Sequence, residues 1–159
     1  MSTKEKARQR MRCNYRSLAF WRRAERLIAK RLREEGIPCR LIAGKKLPWD
    51  IVTSSGLHVE CKAAKLLCGR RASGRRKDGT RKLRSPFWTI TIKRHGRLNE
   101  QGVNFYIIYL TGCNDLRPVY LVCPAPIRRK QFSITLRQLL MNYRANVNAW
   151  HLIREAGRK

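Results

Sequence analysis

Hydrophobic residues recur with helical spacing over residues 17–35 of the chain. With successive residues about 100° apart around a helix, one face carries Leu18, Trp21, Ile28, Ala29 and Leu32. Gly36 and Pro38 follow, and both are typical of the end of a helix. The pattern predicts an amphipathic helix over residues 17–35 that packs one face against a core.

Short apolar runs with strand character alternate with turns in most of the remaining chain. Strands are predicted at residues 39–43, 49–53, 57–62, 88–92, 103–110 and 118–123. Ser54-Ser55-Gly56 predicts a tight hairpin connection between the second and third strands. A second helix is predicted over residues 134–143, and residues 146–159 match no clear pattern. This order favours one α/β (mixed α+β) domain.

The charge balance narrows the class of partner. The chain has 159 residues and a formal net charge of +27, from 37 Lys and Arg against 10 Asp and Glu. This excess excludes an ordinary metabolic enzyme surface and favours nucleic acid as the partner, ahead of a membrane. A hydrophobic fraction of 43% indicates a folded core, not a disordered basic tail.

The sequence also bears on compartment and organisation. No apolar run reaches membrane-spanning length and no signal peptide is visible, so we expect a cytoplasmic protein without membrane contact. Residues 1–16 and 65–84 are strongly basic with little to pack, which predicts a mobile arm and a flexible loop. We therefore expect a basic arm at 1–16, a single domain at 17–145 and a C-terminal extension at 146–159.

The six cysteines show none of the spacing of a zinc site. They lie far apart, form no C-x-x-C pair and have no histidine at finger spacing. We interpret them as reduced thiols, several of them small core residues.

Glu25 is a carboxylate in the middle of the apolar face of the first helix. A carboxylate that faces a core costs several kcal/mol unless something compensates it. An ion pair with a nearby arginine, a hydrogen-bond network or a metal ion would each do so.

The predicted hairpin brings two further carboxylates together. If residues 54–56 form a three-residue loop, Thr53 pairs with Leu57, and Asp50 then lies directly opposite Glu60. Opposed residues have Cβ atoms about 4.5 to 5.5 Å apart, so the two carboxylates repel unless a cation lies between them. Mg²⁺ is the natural candidate, because it binds through one or two carboxylates together with phosphate and water.

Strand alternation extends this candidate site. Lys62 falls on the same face as Glu60 and could neutralise charge on a phosphate or help to activate water. The backbone carbonyl of Cys61 could be a further metal ligand. The alternative is an exposed charge cluster of small energetic consequence. The scarcity of acidic residues in so basic a chain favours the metal site.

These residues resemble a known signature. Pro48-Trp49-Asp50, nine residues, and then Glu60-Cys61-Lys62 resemble the PD-(D/E)xK nuclease motif, with Trp49 inserted between its proline and its aspartate. The run from the helix to Lys62 is most similar to archaeal Holliday junction resolvases. Resemblance extends to homing endonucleases and small restriction-type nucleases of the same superfamily. It covers residues 17–62 well and the remainder only in the order of elements.

The resemblance implies a restriction-endonuclease-like core, with a central mixed sheet flanked by helices, and hydrolysis of DNA phosphodiester bonds. It implies Asp50 and Glu60 as ligands of Mg²⁺, with Mn²⁺ able to substitute, Lys62 as the catalytic lysine and Glu25 as an auxiliary acid. It also implies a homodimer or higher homo-oligomer. His58 and Gln101 are candidate auxiliary residues. The candidate DNA-binding residues are Lys45, Lys46, Lys65, Arg70, Arg71, Arg75, Arg76, Lys77, Arg81, Lys82 and Arg84.

Three functions remain open from the sequence. The first is a metal-dependent DNA endonuclease that selects branched DNA, as a junction resolvase does. The second is a homing or restriction-type endonuclease that reads a base sequence. The third is a non-catalytic basic nucleic-acid-binding protein, for which the net charge alone would suffice.

Overall fold

A computed structural model describes residues 3–42, 47–67, 71–75, 81–83, 85–92, 102–112, 117–129 and 131–158, with the backbone alone for 3–17, 71–75 and 81–83. In these ranges the helices are α1 (Thr3–Glu34), α2 (Leu136–Asn142) and α3 (Trp150–Ala156), and a 3₁₀ helix covers Arg144–Asn146. The strands are β1 (Cys39–Leu41), β2 (Ile51–Thr53), β3 (His58–Ala64), β4 (Leu66–Leu67), β5 (Arg71–Arg75), β6 (Arg81–Leu83), β7 (Phe87–Thr91), β8 (Phe105–Leu110), β9 (Val119–Pro124) and β10 (Gln131–Thr135).

Helix α1 buries the apolar face that its sequence predicts. Ala24, Ile28, Ala29 and Leu32 are all at most 1% exposed. Gly36, with φ of +74°, follows the helix in the left-handed conformation that glycine adopts at low cost.

Helix α1 begins at Thr3, so the predicted start at residue 17 is wrong. The backbone of residues 3–16, predicted as a basic arm, is helical. Lys, Arg, Ala, Met and Gln are strong helix formers, and extending an existing helix costs far less than nucleating one.

The central sheet has five strands in the order β1-β2-β3-β8-β9. Strands β3 and β8 are parallel, whereas every other neighbouring pair in this sheet is antiparallel. The parallel pairing runs from Val59↔Phe105 to Ala64↔Leu110 and places β3 in the middle of the sheet. The prediction of a central mixed sheet is confirmed.

Each face of this sheet covers a separate hydrophobic cluster. Alternation along β8 sends Phe105 and Ile107 to one cluster, which α1 and α3 complete, and Tyr106 and Ile108 to the other. The second cluster is closed by a three-stranded sheet of order β10-β7-β4 and by Leu139 of α2. The central sheet is thus enclosed on both faces.

The basic segment at 65–84 contains strands, so its prediction as an irregular loop is wrong in part. Leu66 and Leu67 form β4, which pairs with β7. Strands β5 and β6 pair antiparallel in a two-stranded sheet of their own. The Asp78-Gly79 dipeptide between them in sequence is a strong hairpin signal, which the density of positive charge conceals.

The predicted helix at 134–143 divides into two elements at Thr135. Strand β10 ends at Thr135. The Thr135 side chain then caps α2 by accepting a hydrogen bond from the Gln138 N–H, and the Gln138 side chain accepts one from the Thr135 N–H. This reciprocal capping box fixes the start of α2 at Leu136.

The C-terminal residues belong to the core, although the sequence predicts an extension at 146–159. Trp150 and Ile153 of α3 are 3% and 1% exposed and pack in the same cluster as Ile28 and Leu32 of α1. The domain therefore continues to α3. In the described ranges no helix is long and apolar enough to cross a membrane.

Replacing Ile153 with alanine tests the place of α3 in the core. We expect Ile153→Ala to lower the free energy of unfolding by about 2 to 5 kcal/mol, because it leaves a cavity at a fully packed position. Leu140→Ala is the control, since Leu140 of α2 is 62% exposed and should cost no more than about 0.5 kcal/mol. Urea denaturation measures both, and equal losses would contradict a core role for α3.

Candidate active site

The β2–β3 hairpin has the predicted register. Ile51 pairs with Val59 and Val52 with His58. Asp50 lies just before the first paired residue of β2, and its N–H donates to the Val59 carbonyl oxygen at 2.9 Å. This bond is one residue off the predicted pairing of Asp50 with Glu60, so the backbone places Asp50 beside the pair Ile51↔Val59 and not directly opposite Glu60.

The two carboxyl groups lie close together, and that of Asp50 contacts the backbone of β3. Asp50 Oδ2 accepts a hydrogen bond of 2.7 Å from the Cys61 N–H. Asp50 and Glu60 lie close enough for each carboxyl group to influence the pKa of the other. Lys62 Nζ forms an ion pair with Glu60 Oε1, and only 15% and 18% of these two side chains are exposed. Three predicted site residues therefore form one connected cluster.

Burial dominates the acid–base properties of the pair. Desolvation raises the pKa of Glu60 to about 7; Lys62 opposes the rise, and the neighbouring Asp50 adds to it. Desolvation also raises the pKa of Asp50, against the Cys61 N–H and the positive charge of Lys62. With a pKa of about 7, Glu60 is partly protonated near neutral pH.

Glu25 reaches the same cluster from α1. Burial raises its pKa first, Asp50 raises it further, and Arg22, Arg26 and Lys62 lower it. In the part of the chain that the structure describes, Glu25 has no ion pair within 4.0 Å. The pKa of Glu25 therefore depends on the charges of the hairpin site, and no arginine forms a close ion pair with it in the described residues.

The residues present fit a hard divalent cation. Two neighbouring, partly buried carboxyl groups, each with a raised pKa, would be relieved of their mutual repulsion by a dication. No group of three or more His, Cys, Asp or Glu side chains in the described ranges is arranged to hold a metal. Any ion here would take its remaining ligands from backbone, water or phosphate, as Mg²⁺ commonly does.

Cys61 contributes its backbone to this site. Its thiol is buried, and burial raises its pKa well above the ordinary value, so the side chain is a neutral packing group in the first cluster. Its N–H binds Asp50. A ligand role for its carbonyl oxygen stays a prediction.

An aromatic stack bridges the two strands beside the carboxyl pair. The rings of Trp49 and His58 are parallel within 1°, with centroids 3.8 Å apart. His58 Nδ1–H donates to the Gly102 carbonyl oxygen at 2.7 Å, and the His58 N–H donates to Asn104 Oδ1 at 2.7 Å. His58, predicted as an auxiliary residue, is held by the stack and by the segment before β8. Its neighbour in the stack directly precedes Asp50.

The predicted DNA-binding residues fall into three groups. Lys65 is exposed, and its Nζ lies 4.8 Å from the centroid of the Phe20 ring. On β5 and β6 lie Arg71, Arg75, Arg81 and Lys82. Outside the described residues lie Lys45, Lys46, Arg70, Arg76, Lys77, Arg84 and the candidate Gln101.

The sequence reasoning missed Arg22 and Arg26. Both are exposed on α1 and lie close enough to Glu25 to lower its pKa. In the sequence they lie three residues before and one residue after Glu25, and this spacing could have indicated them. Trp49 was noticed only as an insertion in the motif, and its partner His58 lies in the opposite strand.

A glutamine at position 60 should change how stability depends on pH. The folded protein binds a proton at Glu60 more tightly than the unfolded chain does, with a pKa near 7 against 4.5. The stability that this proton binding contributes is complete below pH 4.5, the pKa of the unfolded chain, and is lost as the pH rises through about 7. Glu60→Gln in EDTA should match wild type near pH 4.5 and exceed it by up to about 3 kcal/mol at pH 8.

Glu155→Gln is the control for this experiment, because it removes one exposed negative charge on α3. Urea denaturation across the pH range measures all three proteins. A constant difference between Glu60→Gln and wild type would contradict the raised pKa.

Alanine at Gly102 should loosen the stack. Gly102 has φ of +80°, and a Cβ there would lie 3.0 Å from Trp49 Cζ3. Gly36→Ala is the matched control, since φ is +74° and nothing lies within 4 Å of its Cβ position. Both changes should cost about 1 to 2 kcal/mol for the backbone, and Gly102→Ala should cost more in urea denaturation. Equal losses would show that the ring contact is unimportant.

Comparison with known proteins places the fold. No protein-family model matches the chain, and no curated protein matches it in sequence. Among solved structures, the bacterial homing endonuclease I-Ssp6803I matches with a TM-score of 0.58 at 19% identity, over 87% of this chain and 91% of that chain. The chain therefore has a restriction-endonuclease-like fold, as predicted.

Proposed function

We propose that the chain is a divalent-metal-dependent endonuclease that hydrolyses DNA phosphodiester bonds at the Asp50–Glu60 pair. One observation carries the proposal: two neighbouring, partly buried carboxyl groups, with Lys62 beside them, on a fold that is similar to that of a bacterial homing endonuclease. The net charge of +27 supplies attraction for the polyanion.

Asp50, Glu60 and the backbone carbonyl of Cys61 would hold Mg²⁺, with Mn²⁺ as a substitute. When bound, such an ion polarises the phosphate and makes water a better nucleophile. The hydrogen bond from the Cys61 N–H orients Asp50 for this task. A bound cation would lower the pKa of Glu60, as the positive charge of Lys62 already does.

Lys62 and Glu25 act on the substrate side. Lys62 Nζ, which pairs with Glu60 here, is the cation placed to contact a phosphate oxygen and neutralise its developing charge. Glu25 has a raised pKa and lies near Asp50 and Lys62, which suits an auxiliary acid that holds or releases a proton near the site.

A homing or restriction-type activity on duplex DNA is favoured over a junction resolvase. The support is the likeness to I-Ssp6803I, which extends over most of both chains. We also propose a homodimer or higher homo-oligomer, because one such site cleaves one strand and a break through both strands requires two.

Substitutions at the carboxyl pair and the lysine test the enzyme. We expect Asp50→Asn and Lys62→Ala to lower the rate of plasmid cleavage in Mg²⁺ at least about 100-fold, because the first removes a metal ligand and the second removes the cation that would neutralise the phosphate. Lys30→Gln, on the exposed side of α1, is the control for loss of a positive charge and should cleave as wild type does.

Two further readouts separate the alternatives. Mg²⁺ should raise the unfolding temperature of wild type and leave that of Asp50→Asn unchanged, since only an intact pair binds it. Supercoiled plasmids with random inserts and four-way junctions should be offered in parallel. Selective cutting of junctions would instead indicate a resolvase. Salt-sensitive binding without Mg²⁺-dependent cleavage by any preparation would indicate a non-catalytic binder.

A further inference from the structure

Among the described side chains of α1, two sets of positive charges differ in their partners. Towards the end of the helix, Lys30 pairs with Glu34 at 3.7 Å, and Arg31 pairs with Glu34 at 3.5 Å and with Glu35 at 2.7 Å. Arg154 of α3 adds a fourth pairing, to Glu35 at 3.6 Å. These charges are largely neutralised within the protein.

Arg22 and Arg26 belong to the other set. Both are exposed, and in the described ranges neither has a carboxylate within 4.0 Å. Arg26 Nε donates to the Arg22 carbonyl oxygen at 3.3 Å, which leaves its remaining guanidinium donors free of backbone partners among the described contacts. Four residues separate the two arginines, so they lie about one turn apart on the same side of the helix.

Lys65 is a further exposed cation beside α1, on another side of the helix from the two arginines. Its Nζ lies 4.8 Å from the ring centroid of Phe20, which is two residues before Arg22 and so about 200° away around the helix. A cation–π contact of this kind positions an ammonium group without neutralising it. The side chain is exposed, so the charge remains accessible to a ligand.

The two arginines flank Glu25 of the candidate active site. Glu25 lies between them in sequence, and its electrostatic neighbours include both arginines, Asp50 and Lys62. Arginine presents several N–H donors that match phosphate oxygens.

We infer that Arg22 and Arg26 form one phosphate-binding surface along α1, which holds the DNA backbone beside the candidate active site. The inference rests on the proposed function for the identity of the polyanion. It assigns to the first helix a role in binding substrate, in addition to packing and to the placement of Glu25.

Salt dependence of DNA binding tests this surface without any need for cleavage. The probe is a short fluorescein-labelled duplex of random sequence, and the full chain binds it in EDTA over a range of salt. Each phosphate contact contributes about 0.9 to the slope of log K against log salt. Arg22→Gln/Arg26→Gln should lower the magnitude of the slope by nearly 2.

Two controls make the result specific. Lys30→Gln removes one positive charge about one turn after Arg26, from a lysine that pairs with Glu34. Its slope should stay at the wild-type value. Arg22→Lys/Arg26→Lys should restore the slope, because lysine also binds phosphate. A normal slope in the glutamine double variant, or an equal loss in Lys30→Gln, would overturn the inference.

The outcome separates from that of the proposed function. A reduced slope in a protein that never cleaves DNA would uphold the phosphate-binding surface and refute the nuclease. An unchanged slope alongside cleavage that depends on Asp50 would uphold the nuclease and refute this surface.

Discussion

The register of the β2–β3 hairpin is the constraint on which the candidate site depends. Because the pairing Ile51↔Val59 is fixed, the Asp50 side chain reaches β3 at the Cys61 N–H, next to Glu60. A slip of one residue would send one of them to the opposite face of the sheet. The three-residue connection at 54–56 fixes this register locally, with Gly56 at φ of +81° in the turn.

The surrounding structure holds together two groups that repel each other when ionised. Strand β3 lies in the middle of the sheet, tied by six parallel pairings to β8. The Cys61 N–H binds Asp50 directly, while the Trp49–His58 stack joins the two strands on the side of Gly102. These contacts keep both carboxyl groups buried, and the burial raises the pKa of each. Groups with pKa values shifted in this way are common in functional sites.

Local patterns predicted the parts of the fold that local chemistry decides. The apolar face of α1 and the hairpin register follow from spacing alone, since both involve residues close in sequence. The capping box at Thr135 was also present in the sequence and would have divided β10 from α2. High charge hid the strands β5 and β6, because strand patterns are sought in apolar residues.

Long-range packing decided the rest. The place of Trp150 in the core depends on α1, more than a hundred residues earlier, and no local pattern reports it. His58 meets Gly102 in the same way, through the arrival of the segment before β8. The place of Glu25 in an apolar face predicts partial burial, but its proximity to Asp50, Lys62 and the flanking arginines depends on how α1 packs on the sheet.

Helix α1 shows how a chain with few acids divides its charges between stability and binding. Where Glu34 and Glu35 occur, they neutralise Lys30, Arg31 and Arg154 and join α1 to α3. Such exposed pairs stabilise weakly, and they withdraw those cations from any ligand. The acidic residue of α1 that lies nearest the carboxyl pair in the described part of the chain is Glu25. It forms no ion pair within 4.0 Å there, so the arginines on either side of it are not neutralised. The same scarcity of carboxylates that makes Asp50 and Glu60 conspicuous therefore leaves the helix beside them able to bind a polyanion.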